Sequence, residues 1–148
     1  MTNVLPLKKK DFTFEKQISD LTTLCKEDIV SVNTIILDKL DSNVPLVQEV
    51  AKYLILSGGK RLRPLLTVSS YHMINNEKKT NENKINHIGL SAAVEFIHTA
   101  TLLHDDVIDE SKQRRGNPTA NEKWRNKTSV LVGDFLFSRA FQLMTKYG

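Results

Sequence analysis

Apolar residues recur every three to four positions over most of the chain, which is the period of an amphipathic α-helix. The first such segment runs from Ile18 to Leu40 and predicts one long helix, which Asp41-Ser42-Asn43 ends. A second helix is predicted from Pro45 to Ser57, because proline suits a first helical turn and the following Gly58-Gly59 supplies a permissive backbone. Within the first segment, Cys25 is expected to be a small buried helix residue.

The same period continues along the rest of the chain. Arg63-Pro64 begins a third predicted helix that runs to about Ile74, and the polar stretch 75–86 is typical of a surface loop. A mostly apolar helix is predicted from Ile85 to Ile108. One face of this helix is marked by Ile88, Ala92, Phe96, Thr99 and Leu103.

Two turn-forming residues, Gly116 and Pro118, interrupt the helical pattern. A short helix from Thr119 to Trp124 and a final apolar helix from Ser129 to Lys146 are predicted beyond them. No strand pattern competes convincingly with this interpretation, and no internal repeat is visible. The sequence therefore predicts an all-α fold.

Composition places the chain among single-domain proteins. Its 148 residues are 40% hydrophobic, so we expect one domain over 1–148, with 1–12 as a flexible basic tail. The net charge of +4 gives weak support to an anionic ligand. No basic stripe with interleaved aromatic residues is present, so we expect no nucleic-acid partner.

The chain also lacks the usual features of a secreted or membrane protein. A single cysteine cannot form an internal disulfide, and no apolar run approaches the roughly 20 residues of a transmembrane helix. The amino terminus has no apolar core followed by a small-residue cleavage site. These features predict a cytoplasmic location.

Three carboxylates lie at the end of the predicted helix that closes at Ile108. Asp105 and Asp109 are four residues apart, which places them on one helix face with Cβ atoms roughly 5–6 Å apart, and Asp106 lies beside them. Mg²⁺ prefers such oxygen donors, with phosphate oxygens and waters completing its shell. The negative end of the helix dipole also favours a cation there. The pattern predicts a Mg²⁺ site.

Two basic segments accompany these carboxylates. The segment 58–64, GGKRLRP, differs from a Walker phosphate loop, yet Lys60 and Arg63 at a helix start suit an anion. The alternative is a helix cap with solvated basic residues. Arg114 and Arg115 follow the carboxylates and could instead form salt bridges to Asp109 and Glu110. Cations beside metal-binding carboxylates together indicate a metal–diphosphate site.

The order and spacing of three segments resemble the trans-prenyl diphosphate synthase family. These are 58–64, His98 to Asp109, and Arg114-Arg115-Gly116, and Gly133-Asp134-Phe135 is similar to the family's next helix. The resemblance extends from about Val44 onward. It implies a helical bundle of the isoprenoid synthase type, and a Mg²⁺-dependent head-to-tail condensation of isopentenyl diphosphate with an allylic diphosphate.

The resemblance also assigns roles to single residues. It implies that Mg²⁺, bridged to the allylic diphosphate, is held by Asp105, Asp106 and Asp109. Arg114 would hold the same diphosphate, and with Lys60 it completes the expected catalytic set. The diphosphate of isopentenyl diphosphate would be bound by Lys60, Arg63, His98 and Arg115. His104 is interpreted as structural.

Residues one turn before the acidic motif bear on product length in this family, where bulky aromatic side chains block elongation. The fourth and fifth residues before Asp105 are Thr101 and Ala100, and both are small. They predict a long-chain prenyl diphosphate, such as a precursor of a quinone side chain.

The family's second aspartate-rich motif has no counterpart here, so the resemblance covers an amino-terminal half only. Three interpretations remain open: a truncated, split or decayed synthase that is weak or inactive alone; one half that works with a separately encoded second half; or an inactive or regulatory metal–diphosphate-binding module. A homodimer or association with a carboxyl-terminal half is expected. A helical interaction protein and a terpene cyclase are further alternatives, although segment 58–64 disfavours the cyclase.

Overall fold

The computed structural model describes residues 13–57, 59, 61–75 and 85–148, and helices dominate this part of the chain. The predicted all-α class is confirmed, although two two-residue strands that the apolar pattern did not indicate are also present. The elements in chain order are α1 (Phe14–Leu24), α2 (Lys26–Lys39), α3 (Pro45–Leu56), α4 (Leu62–Asn75), α5 (Asn86–Ile108), β1 (Gln113–Arg114), β2 (Asn117–Pro118) and α6 (Ala120–Tyr147).

The prediction of one long first helix is wrong, because the chain bends at Cys25 between α1 and α2. Cys25 has φ −96° and ψ 12°, outside helical geometry, while its backbone N–H still donates to the Leu21 carbonyl at 3.0 Å. The predicted burial of Cys25 is confirmed, since only 4% of it is exposed. Its Sγ lies 3.6 Å from Oγ of Ser69 on α4, a tertiary contact that apolar spacing along the chain does not reveal.

The next predicted helices agree with the structure. Pro45 occupies the first turn of α3, where its missing N–H removes no intrahelical bond. The predicted surface loop at 75–86 lies mostly outside the described residues. The predicted basic tail 1–12 and the residues Gly58 and Lys60 lie wholly outside them.

Helix α5 is the centre of the bundle, with contacts to α2, α4 and α6. The helical face that the sequence marks is buried in the structure: each of its five members is buried, and Ala92, Phe96 and Leu103 have no exposed surface. Complete burial of a side chain such as Phe96 contributes about 1.5–3 kcal/mol to stability. This burial fixes the rotation of α5 and therefore the direction in which its acidic end points.

The last helix, α6, combines the two helices predicted at 119–124 and 129–146. The helix spans Ala120–Tyr147, but Arg125 has the non-helical angles φ 72° and ψ 158°, so a kink just after Trp124 divides it into two helical parts. Beyond the kink, α6 approaches α5 closely at Gly133, where an added Cβ would clash with the ring of His104. His104 Nε2 also lies 3.2 Å from the Val130 carbonyl oxygen, which fits the structural role predicted for this histidine.

None of the helices among the described residues combines the length and apolar character needed to cross a membrane.

Candidate functional site

The three aspartates of the acidic motif lie at the carboxyl end of α5 and have different surroundings. Asp105 lies in the last turn and Asp109 is the carboxyl-terminal cap, and both are exposed. Asp106 points inward and is only 1% exposed. The structure therefore separates two solvent-facing carboxylates from a buried one.

The buried carboxylate of Asp106 is paired with Arg114. The Arg114 Nε–H lies 3.1 Å from both Asp106 carboxylate oxygens, and Nη2 donates to Oδ1 at 2.7 Å. Hydrogen bonding to Asp106 raises the pKa of Arg114. Arg114 therefore pairs with Asp106, and not with Asp109 or Glu110 as the alternative interpretation of the sequence had it. This contact fixes the guanidinium beside the acidic motif.

A tight hairpin carries Arg114 and Arg115 back toward α5. Strands β1 and β2 pair in antiparallel register, and Arg115 and Gly116 between them have φ 53° and 79°. Two positive φ values in a two-residue loop are typical of a type I′ turn. The Tyr53 hydroxyl on α3 donates to the Pro118 carbonyl oxygen at 2.8 Å and so holds the hairpin against the bundle.

An open pocket of about 440 Å³ lies between the start of α4, the middle of α5 and this hairpin. It brings together three of the four residues predicted to bind the second diphosphate, namely Arg63, His98 and Arg115. The fourth, Lys60, lies outside the described residues, while its neighbour Gly59 lines the pocket. An added Cβ on Gly59 would lie 3.0 Å from Nη1 of Arg115, so glycine allows the loop to approach that guanidinium.

Two further residues line the pocket, Arg61 and Glu95, and the sequence patterns did not indicate a role for either. Arg61 donates through Nη1 to Glu95 Oε1 and through Nη2 to the Ile55 carbonyl oxygen, the latter at 2.7 Å. It holds this position with a φ of 46°. Glu95 could have indicated this pair, because a buried ionisable residue in an apolar helix normally needs a charged or hydrogen-bonding partner. The pair joins the segment 58–64 to α5.

The surroundings of His98 favour the neutral form of its imidazole. Burial is the main cause of its lowered pKa, and the positive charge of Arg63 lowers the pKa further. A neutral imidazole can donate one hydrogen bond without adding to the positive charge of the pocket.

A smaller cavity of about 50 Å³ connects the two halves of the site. Its lining includes Asp106 and Arg114 from the acidic motif and its partner, and His98 and Arg115 from the open pocket. The buried carboxylate Asp106 and the cationic pocket are thus joined through this cavity, whereas Asp105 and Asp109 do not line it.

The donor chemistry of the acidic motif fits Mg²⁺. The available atoms are carboxylate oxygens, which are the hard ligands that this ion prefers. Asp105 and Asp109 are exposed on one side of the helix end, whereas both oxygens of Asp106 already accept bonds from Arg114. The prediction that all three aspartates are metal ligands stays a prediction, and the geometry favours Asp105 and Asp109.

The two residues linked to product length differ in exposure. Ala100 is completely buried in the core, whereas Thr101 is exposed and donates through Oγ1 to the His98 carbonyl oxygen at 2.8 Å. Only Thr101 could present a larger side chain to a ligand without disturbing the core.

A helical bundle with an acidic helix end beside a cationic pocket is the architecture of isoprenoid synthases. The chain belongs to the polyprenyl synthetase family, whose model matches residues 44–148. It is 45% identical over 133 residues to the octaprenyl diphosphate synthase of Escherichia coli (strain K12), an alignment that covers 90% of this chain and 38% of that protein.

Solved structures show the same fold. A decaprenyl diphosphate synthase from Rhodobacter capsulatus superimposes with a TM-score of 0.79 at 51% identity, covering 87% of this chain and 38% of that one. A polyprenyl synthase from Caulobacter crescentus CB15, complexed with calcium and isoprenyl diphosphate, gives a TM-score of 0.80 at 46% identity with the same coverage. The chain thus spans about two fifths of the length of these relatives.

Proposed function

We propose that this chain supplies the substrate-binding face of a polyprenyl diphosphate synthase, which condenses isopentenyl diphosphate with an allylic diphosphate. The observation that carries the proposal is the pocket in which Arg63, His98 and Arg115 meet, continuous with the acidic end of α5. Two anionic groups could be held side by side in such a region. Residues 1–148 would form part of a single synthase domain.

The acidic side of the site would bind the allylic diphosphate. Asp105 and Asp109 would hold Mg²⁺, and Asp106 would act as a positioning residue that directs Arg114 toward the same diphosphate. Bound Mg²⁺ would neutralise negative charge that develops on the departing diphosphate. Arg114 would share that task, since guanidinium–phosphate bonds are charge-assisted and often bidentate.

The cationic pocket would bind isopentenyl diphosphate. Arg63 and Arg115 would supply positive charge, together with Lys60, and the neutral imidazole of His98 would donate a hydrogen bond. Arg61 would act as a positioning residue through its bonds to Glu95 and the Ile55 carbonyl. This arrangement would place the double bond of isopentenyl diphosphate near the allylic carbon.

The reaction would need no protein nucleophile. The allylic carbon–oxygen bond breaks and diphosphate leaves with its electron pair, while the double bond of isopentenyl diphosphate forms the new carbon–carbon bond. The resulting cation then gives a proton to the released diphosphate, and the electrons of that carbon–hydrogen bond form the new double bond. The cationic side chains of the pocket would stabilise both diphosphates during this exchange.

A long product is supported by the small side chain of the exposed residue Thr101 and by the octaprenyl and decaprenyl synthases among the relatives. A partner, either a second copy or a carboxyl-terminal half, would cover apolar side chains that α6 leaves exposed. Among them are Leu131 and Phe141, which are 55% and 60% exposed.

Calorimetric titration with geranyl S-thiolodiphosphate, an allylic analogue, tests the binding part of the proposal. We expect binding that requires Mg²⁺ and that is strongly weakened by Asp105→Ala and by Arg114→Ala. Asp38→Asn on α2 is the control and should bind normally, since this exposed aspartate lies on another helix. Binding that ignores both substitutions would favour a helical interaction protein instead.

Incorporation of labelled isopentenyl diphosphate into extended products tests the catalytic part. Product formed by the chain alone would show that this face is sufficient for elongation. Analogue binding without product would identify a metal–diphosphate-binding module or a synthase half that needs its complement.

A further inference from the structure

A second group of metal-ligating side chains lies far from the acidic motif. It consists of Asp28 on α2, His72 on α4 and His87 on α5. His87 precedes Asp105 by 18 residues on the same helix, which corresponds to about 27 Å along the helix axis. The family site described above therefore does not account for this cluster.

The three side chains converge on one point. His72 Nε2 is in hydrogen-bonding contact with Asp28 Oδ2, and His87 Nε2 lies 3.7 Å from the same oxygen. One possible ligand atom from each residue lies within 4.8 Å of the other two. In a tetrahedral zinc site with bonds of about 2.0–2.1 Å, neighbouring ligand atoms are on the order of 3.4 Å apart. Small rotations of the side chains would reach that spacing.

An independent observation at His87 points to a ligand at this cluster. This side chain is only 7% exposed, and both of its ring nitrogens are buried without a hydrogen-bond partner. Such a buried imidazole loses hydration without compensation, which is uncommon in native structures. The Tyr71 ring stacks on it at 3.8 Å with an interplanar angle of 2°, so its orientation toward Asp28 is fixed.

We propose that Asp28, His72 and His87 bind a divalent transition-metal ion, with Zn²⁺ the favoured occupant. Two imidazoles and one carboxylate are typical zinc ligands, whereas Mg²⁺ prefers all-oxygen sites. The side chains of His72 and Asp28 are 53% and 26% exposed, which leaves an entry path and a fourth position for water. The ion would give His87 Nε2 its partner.

Such an ion would act as a structural clamp. Each ligand comes from a different helix, so coordination would join α2, α4 and α5. Free energy of metal binding to a site that exists only in the folded chain adds to the free energy of unfolding. The clamp would secure the two helices that carry Arg63 and His98 into the cationic pocket.

Titration of the metal-stripped chain with Co²⁺ tests the site, because tetrahedral Co²⁺ has distinctive visible absorption. We expect one equivalent to give the tetrahedral Co²⁺ spectrum and Zn²⁺ to displace it. His72→Gln and Asp28→Asn should weaken binding by more than the ~10–100-fold that outer-shell partners cost. Both residues are partly exposed, so circular dichroism should show that the variants fold.

Two control variants separate this site from other metal ligands. The double variant Asp105→Asn, Asp109→Asn should retain the Co²⁺ spectrum, and Cys25→Ser should retain it as well. Zn²⁺ should raise the unfolding temperature of the original chain but not that of His72→Gln. The proposal is overturned if one equivalent of Co²⁺ does not bind, if His72→Gln and Asp28→Asn leave its affinity unchanged, or if either control variant abolishes the spectrum.

Discussion

The guanidinium of Arg114 and the buried carboxylate of Asp106 form a multidentate ion pair at the end of α5. The pair makes the three aspartates unequal, because it occupies the carboxylate of Asp106 and leaves Asp105 and Asp109 exposed to solvent. It also anchors the hairpin that carries Arg115. A motif that reads as three equivalent carboxylates thus consists of two exposed carboxylates and one that is buried in an ion pair.

Removing the Asp106 carboxylate should destabilise the fold. Asp106 is nearly inaccessible while the Arg114 side chain is 35% exposed, so the loss should be below that of a fully buried pair. We expect Asp106→Ala to lower the free energy of unfolding by about 2–3 kcal/mol, measured by urea denaturation. Asp105→Asn is the matched control and should change it by no more than about 0.5 kcal/mol. Equal effects of the two variants would contradict the assignment.

Close packing of α5 and α6 at Gly133 should make this position intolerant of a side chain. Gly133→Ala should lower the free energy of unfolding by about 1–3 kcal/mol, because the clash with His104 outweighs the better helix propensity of alanine. Ser129→Ala, one turn earlier, should be neutral or stabilising, since the buried Ser129 hydroxyl has no hydrogen-bond partner. Thermal unfolding compares the two variants, and a neutral Gly133→Ala would refute the close approach.

Burial of His98 should make stability depend on pH in the weakly acidic range. The pKa of His98 is lowered from its ordinary value of 6.5, so the unfolded chain binds this proton more readily than the folded chain. The free energy of unfolding should therefore fall as pH drops below about 6.5, until the folded imidazole is itself protonated. His98→Asn should remove this part of the pH dependence.

Proton NMR titration measures the same effect at the residue itself. The pKa of His98 should lie below 6.5 and should rise in Arg63→Gln, because the charge of Arg63 contributes to the shift. A His98 pKa that Arg63→Gln leaves unchanged would contradict the contribution assigned to the charge of Arg63.

The two residues before the acidic motif should respond differently to enlargement. Ala100→Phe should destabilise the chain by about 1–3 kcal/mol or more, because residue 100 is completely enclosed. Thr101→Phe should leave stability nearly unchanged and, in an active assembly, shorten the products. Denaturation together with chromatography of the products checks both expectations, and unchanged product length in Thr101→Phe would count against a role for this position.

The spacing of apolar residues predicted most of the helices but not the bends and turns that join them. Proline and glycine positions located α3, and the apolar face of α5 identified core residues that are indeed buried. The bend at Cys25 escaped prediction because a tertiary contact to Ser69 accompanies it, and the apolar spacing runs across the break without interruption. The hairpin was missed because strands of two residues are too short to produce an alternating pattern.

The sequence by itself determined the helical class, the family and the group of residues at the candidate site, because spacing along a helix and charged motifs are local properties. Only the tertiary structure decided that the Asp106 carboxylate pairs with Arg114. It also decided that Arg61 and Glu95 line the pocket and that His87 lies beside Asp28. These relationships join residues on different elements, and they depend on which faces the buried core brings together.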